Sequence, residues 1–184
     1  MISIFDGMWN QFILKRKKVR YGSNLKITGR IHIHGTNGMI TIGNDCIIRS
    51  DIDDNPTAGG DHTYLTTRKS GEIVIGNNVG MSLAYLSASK KIVIEDNVLI
   101  GANTKIWDND FHPVKYEDRV AKEPPKSAAV CIREGAFIGA CSIIMKGVTV
   151  GYHSVVGAGS VVTHNIPDNE IWAGNPAKFV RKID

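Results

Sequence analysis

From Ile132 to Pro167 the chain divides without remainder into six-residue units: IREGAF, IGACSI, IMKGVT, VGYHSV, VGAGSV and VTHNIP. Each begins with Ile or Val. Each fifth residue is small or aliphatic: Ala136, Ser142, Val148, Ser154, Ser160 and Ile166. Gly139, Gly151 and Gly157 hold second positions. The same phase returns upstream in IEDNVL and IGANTK (94–105), in IGNNVG and MSLAYL (75–86) and in IGNDCI (42–47), and it fades toward Tyr21. A helix cannot produce this period, because about 3.6 residues per turn never gathers those aliphatics on one stripe. Short strands joined by tight corners can. The aliphatic and the small residue then point inward, and the Gly or Asn between units takes a corner of positive φ, cheap for Gly and tolerable for Asn. Three units close a triangular coil, and successive coils stack about 4.8 Å apart. A lone coil buries little, so stability must come from stacked neighbours. A sandwich of short strands would show alternation at irregular spacing instead. The expected fold class is therefore all-β: a parallel β-helix of hexapeptide repeats with a short N-terminal helix and extruded loops.

The repeat domain is expected over residues 19–184, behind an N-terminal segment, 1–18. That segment, MISIFDGMWNQFILKRKK, reads as a short amphipathic helix ending in Lys15, Arg16, Lys17 and Lys18, where cations suit a helix C-terminus. Its basic residues follow the apolar ones, unlike a secretion signal. Packing against its own domain is the expectation, with binding to a membrane surface the alternative. No apolar run approaches the roughly 20 residues of a transmembrane segment. Cys46, Cys131 and Cys141 are odd in number and lack metal-ligand spacing, which suggests reduced thiols and a cytoplasmic location. The net charge of +4 is dispersed among few aromatics. That argues against nucleic acid and fits a phosphate-bearing cofactor or an acidic glycan. Two stretches break the period. Residues 51–72 are rich in Gly, Asp and Thr, and residues 108–129 are polar and carry Pro113, Pro124 and Pro125. Both read as extruded loops. A tail, 167–184, follows the last unit.

VGYHSVVGAGSVVTHNIPDNEIWAGNPAKFVRKI closely resembles the C-terminal end of hexapeptide-repeat acyltransferases, and NVLIGANTKIWDNDFHP resembles the segment around their catalytic histidine. The resemblance covers roughly residues 19–184 and is nearest to maltose/galactoside and polysaccharide O-acetyltransferases. It implies a left-handed β-helix, against the usual right-handed rule for parallel connections. It also implies a homotrimer with active sites between subunits, acetyl-CoA as co-substrate, no metal, and a sugar or glycan acceptor.

The resemblance places the general base at His112 in DFHP. Acyl transfer to a hydroxyl needs a group that takes the hydroxyl proton during attack, and imidazole titrates near the working pH. Asp108 or Asp110 could accept the other ring N–H and fix the tautomer, or both could be turn residues of WDND. Many relatives carry a Trp where this chain has Phe137 in GAFIG. Phenylalanine keeps the ring but has no N–H, so an oxyanion donor must come from elsewhere, with Ser82 a candidate on the acceptor side. By resemblance Ala140, Ala158, Thr163 and His164 line the coenzyme, and Lys178 and Arg181 meet its phosphates, as charge-assisted bonding allows.

Three rivals accompany this reading. An amine acceptor, on an amino sugar or a xenobiotic, would use the same base and groove. A non-catalytic scaffold would explain the departure at Phe137. A zinc carbonic anhydrase on this solenoid would need three converging histidines, and the segment around His112 has no neighbouring pair.

Overall fold

The structure is a computed structural model that describes residues 4–35, 38–56, 59–60, 62–68 and 70–184. It is a left-handed parallel β-helix whose strands build the three faces of a prism. Face A stacks Arg20–Tyr21, Met39–Ile42, Glu72–Ile75, Lys91–Ile94, Val130–Ile132 and Thr149–Val150. Face B stacks Lys26–Gly29, Ile47–Ser50, Gly80–Ser82, Leu99–Ile100, Phe137–Ile138, Val155–Val156 and Glu170–Gly174. Face C stacks His32–His34, Tyr64–Thr67, Tyr85–Ala88, Lys105–Trp107, Ile143–Ile144 and Val161–Val162. Every pairing among these strands is parallel.

The six-residue period is the period of burial. Ile132, Ile138, Ile144, Val150, Val156 and Val162, the first residues of the units, form aliphatic columns down the prism axis, and all are buried. So are the fifth residues, Ala136, Ser142, Val148, Ser154, Ser160 and Ile166. In MSLAYL the phase slips: Ala84 takes the inward place and Tyr85 faces out.

Most corners between faces A and B are the Asn or Gly expected: positive φ falls on Asn24, Asp45, Asn78, Asn97, Gly135, His153 and Asn169, one per coil, with Asp45 and His153 the exceptions. Side-chain amides bridge these corners between coils, as from Asn78 Nδ2 to Asn97 Oδ1 at 2.8 Å. Gly139 and Gly151 serve another purpose. A Cβ at either would meet a backbone nitrogen of the next coil, Ala158 or Asp168, at 2.5 Å. These glycines are there because the coils touch.

The two ends are closed differently. Helix α1, Ile4–Arg16, lies across the first coil and buries Asn10, Ile13 and Leu14. Asn10 donates Nδ2 to Gly29 O at 2.8 Å and accepts from Ile31 N at 3.0 Å, bonding to coil backbone that has no preceding coil to pair with. The tail is not loose. Glu170–Gly174 continues face B, and Ala177–Lys182 folds back antiparallel on it through a cis Asn175–Pro176 bond.

The first insertion is shorter than 51–72. Tyr64–Thr67 is a regular strand of face C with Leu65 fully buried, so the departure from the coil ends at residue 63. The threonines that suggested a loop are good strand formers, Thr66 at an outward position and Thr67 buried. Thr57, Ala58, Asp61 and Lys69 of this stretch lie outside the described residues. The second insertion matches residues 108–129, leaving the C–A edge after Trp107 and re-entering at Val130, with one short helix, α2, at Tyr116–Val120.

Candidate active site

The base of the second insertion is fixed by one buried carboxylate. Asp108 Oδ1 accepts from Ser89 N at 2.7 Å, and Oδ2 accepts from Lys90 N at 2.6 Å and Lys91 N at 2.7 Å. Asp108 also bonds through its backbone on both sides, its N–H to Ser87 O and its O from Ala128 N. Its carboxylate is thus committed to the preceding coil, and it anchors the insertion rather than orienting His112. Neighbouring Asn109, also buried, accepts from Phe111 N at 2.8 Å and bridges to Ser127.

From that anchor the chain makes a three-residue turn. His112 N donates to Asp110 O at 2.6 Å around Phe111, whose φ is 58°. Such turns are strained for a residue with a Cβ and persist where surroundings impose them. Here the Phe111 ring is held edge-on to Trp107 at 5.6 Å and under the Arg68 guanidinium at 5.4 Å. Pro113 then confines His112 to extended backbone. The His112 ring is exposed, and its side chain makes no hydrogen bond or ion pair among the described residues. Asp110 does not orient it either: its Oδ1 pairs with Lys146 Nζ at 3.0 Å.

Two clefts flank the turn. One, of about 450 Å³, is lined by Asp110, Lys115, Lys126 and Lys146 among others. The other, of about 440 Å³, lies along Arg68, Ser89, Phe111 and Ser127. Arg68, Trp107, Phe111 and Lys146 did not emerge from sequence. Only the coil register reveals that they hold the turn on which His112 sits, through Phe111 and Asp110.

The remaining candidates lie elsewhere. Ala140 and Ala158 stack on successive coils at the B–C edge, where Gly159 N donates to Ala140 O at 2.8 Å. Their own amides have no acceptor among the described residues. The tail continues this edge: Gly174 N donates to Ser160 Oγ at 3.0 Å, and exposed Lys178 pairs with Ala173. Arg181 is exposed farther along the same strand, opposite Ile171. Thr163 and His164, joined through Oγ1 and Nδ1 at 2.9 Å, follow face C at the opposite end of their strand from Ala158. Ser82 is buried at the end of its face B strand. Phe137 lies outward on face B between Leu99 and Val155, 45% exposed.

His32, His34 and His62 gather beside Tyr64, the His32 and His62 rings 4.7 Å apart and the His32 and His34 rings stacked at 6.4 Å. Among the described residues no three His, Cys, Asp or Glu side chains are arranged to hold a metal ion.

Residues 91–106 and 130–164 match the family model described as the hexapeptide repeat of succinyl-transferase. The match stops and resumes at the borders of the insertion that carries His112. Galactoside O-acetyltransferase of Escherichia coli is 41% identical over 93 residues, half of this chain and 45% of that protein. Over these residues the chain is similar to the hexapeptide-repeat acetyltransferases. It spans about half the length of the curated relatives it matches. A solved galactoside acetyltransferase in complex with coenzyme A superposes with a TM-score of 0.54 at 25% identity, over 90% of this chain and 65% of the other. A variant of AntD, an N-acyltransferase from Bacillus cereus in complex with dTDP-4-amino-4,6-dideoxyglucose and coenzyme A, gives a TM-score of 0.71 at 23% identity, over 95% and 89%. The latter likeness is one of fold.

Proposed function

We propose that this chain is an acetyl-CoA-dependent acetyltransferase that acylates a hydroxyl of a sugar or glycan precursor in the cytoplasm, with His112 as general base. The observation that carries the reading is an exposed histidine, locked on a strained turn at the mouth of the insertion, in a solenoid akin to galactoside acetyltransferases. The neutral imidazole takes the acceptor proton as its oxygen attacks the thioester carbonyl. The tetrahedral intermediate expels coenzyme A, and the imidazolium returns the proton to the leaving sulfur. A base so placed contributes typically about 10²–10⁴ in rate. Stacked amides at Ala140 and Ala158 suit a long pantetheine arm, and Lys178 supplies a phosphate partner at the end of the same edge, with Arg181 farther along its strand opposite Ile171.

The site is completed by a second subunit in a homotrimer. Two observations support that part. His112 leaves the prism at the C–A edge, whereas Ala140 and Ala158 lie on the B–C edge, so one chain does not bring base and groove together. Face B also presents Leu99 and Phe137, 55% and 45% exposed, as an apolar ladder suited to burial against a neighbour.

Calorimetric titration with coenzyme A tests the reading, because it needs no assumption about the acceptor. Saturable binding near one per chain is expected, weakened by Lys178→Ala with Arg181→Ala, most visibly at low salt. His112→Ala should bind coenzyme A normally yet lose about 10²–10⁴ in turnover in a screen of sugars and amines. Absence of binding would leave a non-catalytic scaffold, and turnover confined to amines would replace the hydroxyl acceptor.

A further inference from the structure

Helix α1 has two apolar sides, and the fold uses one of them. Asn10, Ile13 and Leu14 turn into the coils, whereas Ile4, Phe5, Met8 and Phe12 stand 55% to 80% exposed. At about 100° per residue those four fall within one sector roughly 100° wide, facing away from the buried side. Trp9 sits at the margin of the sector, donating its indole N–H to Ile31 O at 3.1 Å. The outer side of a surface helix is ordinarily polar, so this pattern is inverted.

Cations border the patch. Lys15, Arg16, Lys18 and Arg20 are exposed at the end of the helix, and the Arg16 guanidinium lies 6.0 Å from the Phe12 ring centroid. Arg30 lies 6.0 Å from the Trp9 ring. The acid of the helix, Asp6, is neutralised by Arg30 at 2.7 Å. An apolar strip with aromatic rings and a cationic border has the composition of a helix lying in a lipid–water interface.

We propose that this face docks the protein on an anionic lipid surface, with Phe5, Met8 and Phe12 among the acyl chains and Lys15, Arg16, Lys18 and Arg20 on the headgroups. A two-fold contact through the same face of a second copy would bring that cationic border against itself. Anionic headgroups turn the same charges into attraction. With 13 residues, α1 is too short to cross a bilayer and would lie along its surface.

The test is co-sedimentation of the full chain with phosphatidylglycerol vesicles and with phosphatidylcholine vesicles at low salt. Binding is expected to the former and to fall steeply with salt. The variant Phe5→Ser, Met8→Ser, Phe12→Ser should lose at least about tenfold in affinity. Lys15→Glu with Arg16→Glu, which leaves the apolar strip intact, should lose at least about 25-fold, since each surface cation contributes roughly fivefold and the carboxylates add repulsion. No sedimentation of the wild type with phosphatidylglycerol overturns the proposal. Equal sedimentation of the serine variant does so too. A lower molar mass of that variant by light scattering without vesicles would assign the face to a copy-to-copy contact and overturn it likewise.

Discussion

Asp108→Ala separates anchoring from chemistry at the candidate site. The substitution removes the acceptor of three backbone amides, those of Ser89, Lys90 and Lys91, and leaves a small void at the root of the insertion. A buried donor stripped of its partner costs about 1–3 kcal/mol. Ser89 is half-buried, and Lys90 and Lys91 are exposed, so water can reach the vacated space and the low end applies. Three amides at about 1 kcal/mol each give roughly 3 kcal/mol, which for a chain of this size lowers Tm by about 6–12 °C. Differential scanning fluorimetry reads this directly. His112→Ala, whose ring is exposed, should leave Tm within about 1–2 °C of wild type, since substitutions on open surface stay within about 0.5 kcal/mol. Under the proposed function, both variants lose turnover, but only Asp108→Ala loses stability. An Asp108→Ala protein with wild-type Tm would refute the anchoring role, because the three short contacts would then carry no net free energy.

Two alanine substitutions separate the two reasons for glycine in this fold. Gly139→Ala drives a Cβ to 2.5 Å from Ala158 N, which only a shift of the coils relieves, and should cost about 1–3 kcal/mol or more in chemical denaturation. Gly159→Ala meets nothing within 4 Å and suffers only its φ of 71°, about 1–2 kcal/mol, so a larger loss there than at Gly139 would contradict the distinction. Acid sensitivity has a traceable contribution at the A–B edge. The Asn77 backbone amide, then its side-chain amide, hold the Asp96 carboxyl below the usual carboxylate range. A depressed carboxyl contributes stability that is present above its unfolded pKa and lost as pH falls through the folded one. Asp96→Asn should therefore flatten the acid limb of a Tm-versus-pH curve below about pH 4, and parallel curves for the two proteins would rule this out.

The solenoid was legible because burial repeats with the sequence. The spacing of Ile132, Ile138 and Ile144 assigns them to one core, and all three are fully buried in it. What sequence obscured was anything that depends on which coil lies above which. Asp108 looked like a turn residue or a partner of His112, because the amides it accepts belong to residues 17 to 19 positions upstream. Tyr64–Thr67 reads as loop because Leu65 is its one aliphatic residue and its other buried position holds a threonine, Thr67. Positive φ at Phe111 was invisible for a different reason. Phenylalanine carries no local preference for that conformation, which is imposed by Trp107, Arg68 and the bond to Asn109.

The closed ends have a consequence for assembly. A stack of parallel coils is an open template: its terminal strands carry unpaired N–H and C=O groups on which another chain could continue the ladder. Helix α1 occupies that edge at the first coil by offering the side chain of Asn10 to backbone groups of residues 29 and 31. At the other end, Ala177–Lys182 runs against the direction of the solenoid, so a parallel strand arriving there meets the wrong hydrogen-bond register. Growth into a fibre is thus blocked twice by unlike means, and association is directed to the sides of the prism.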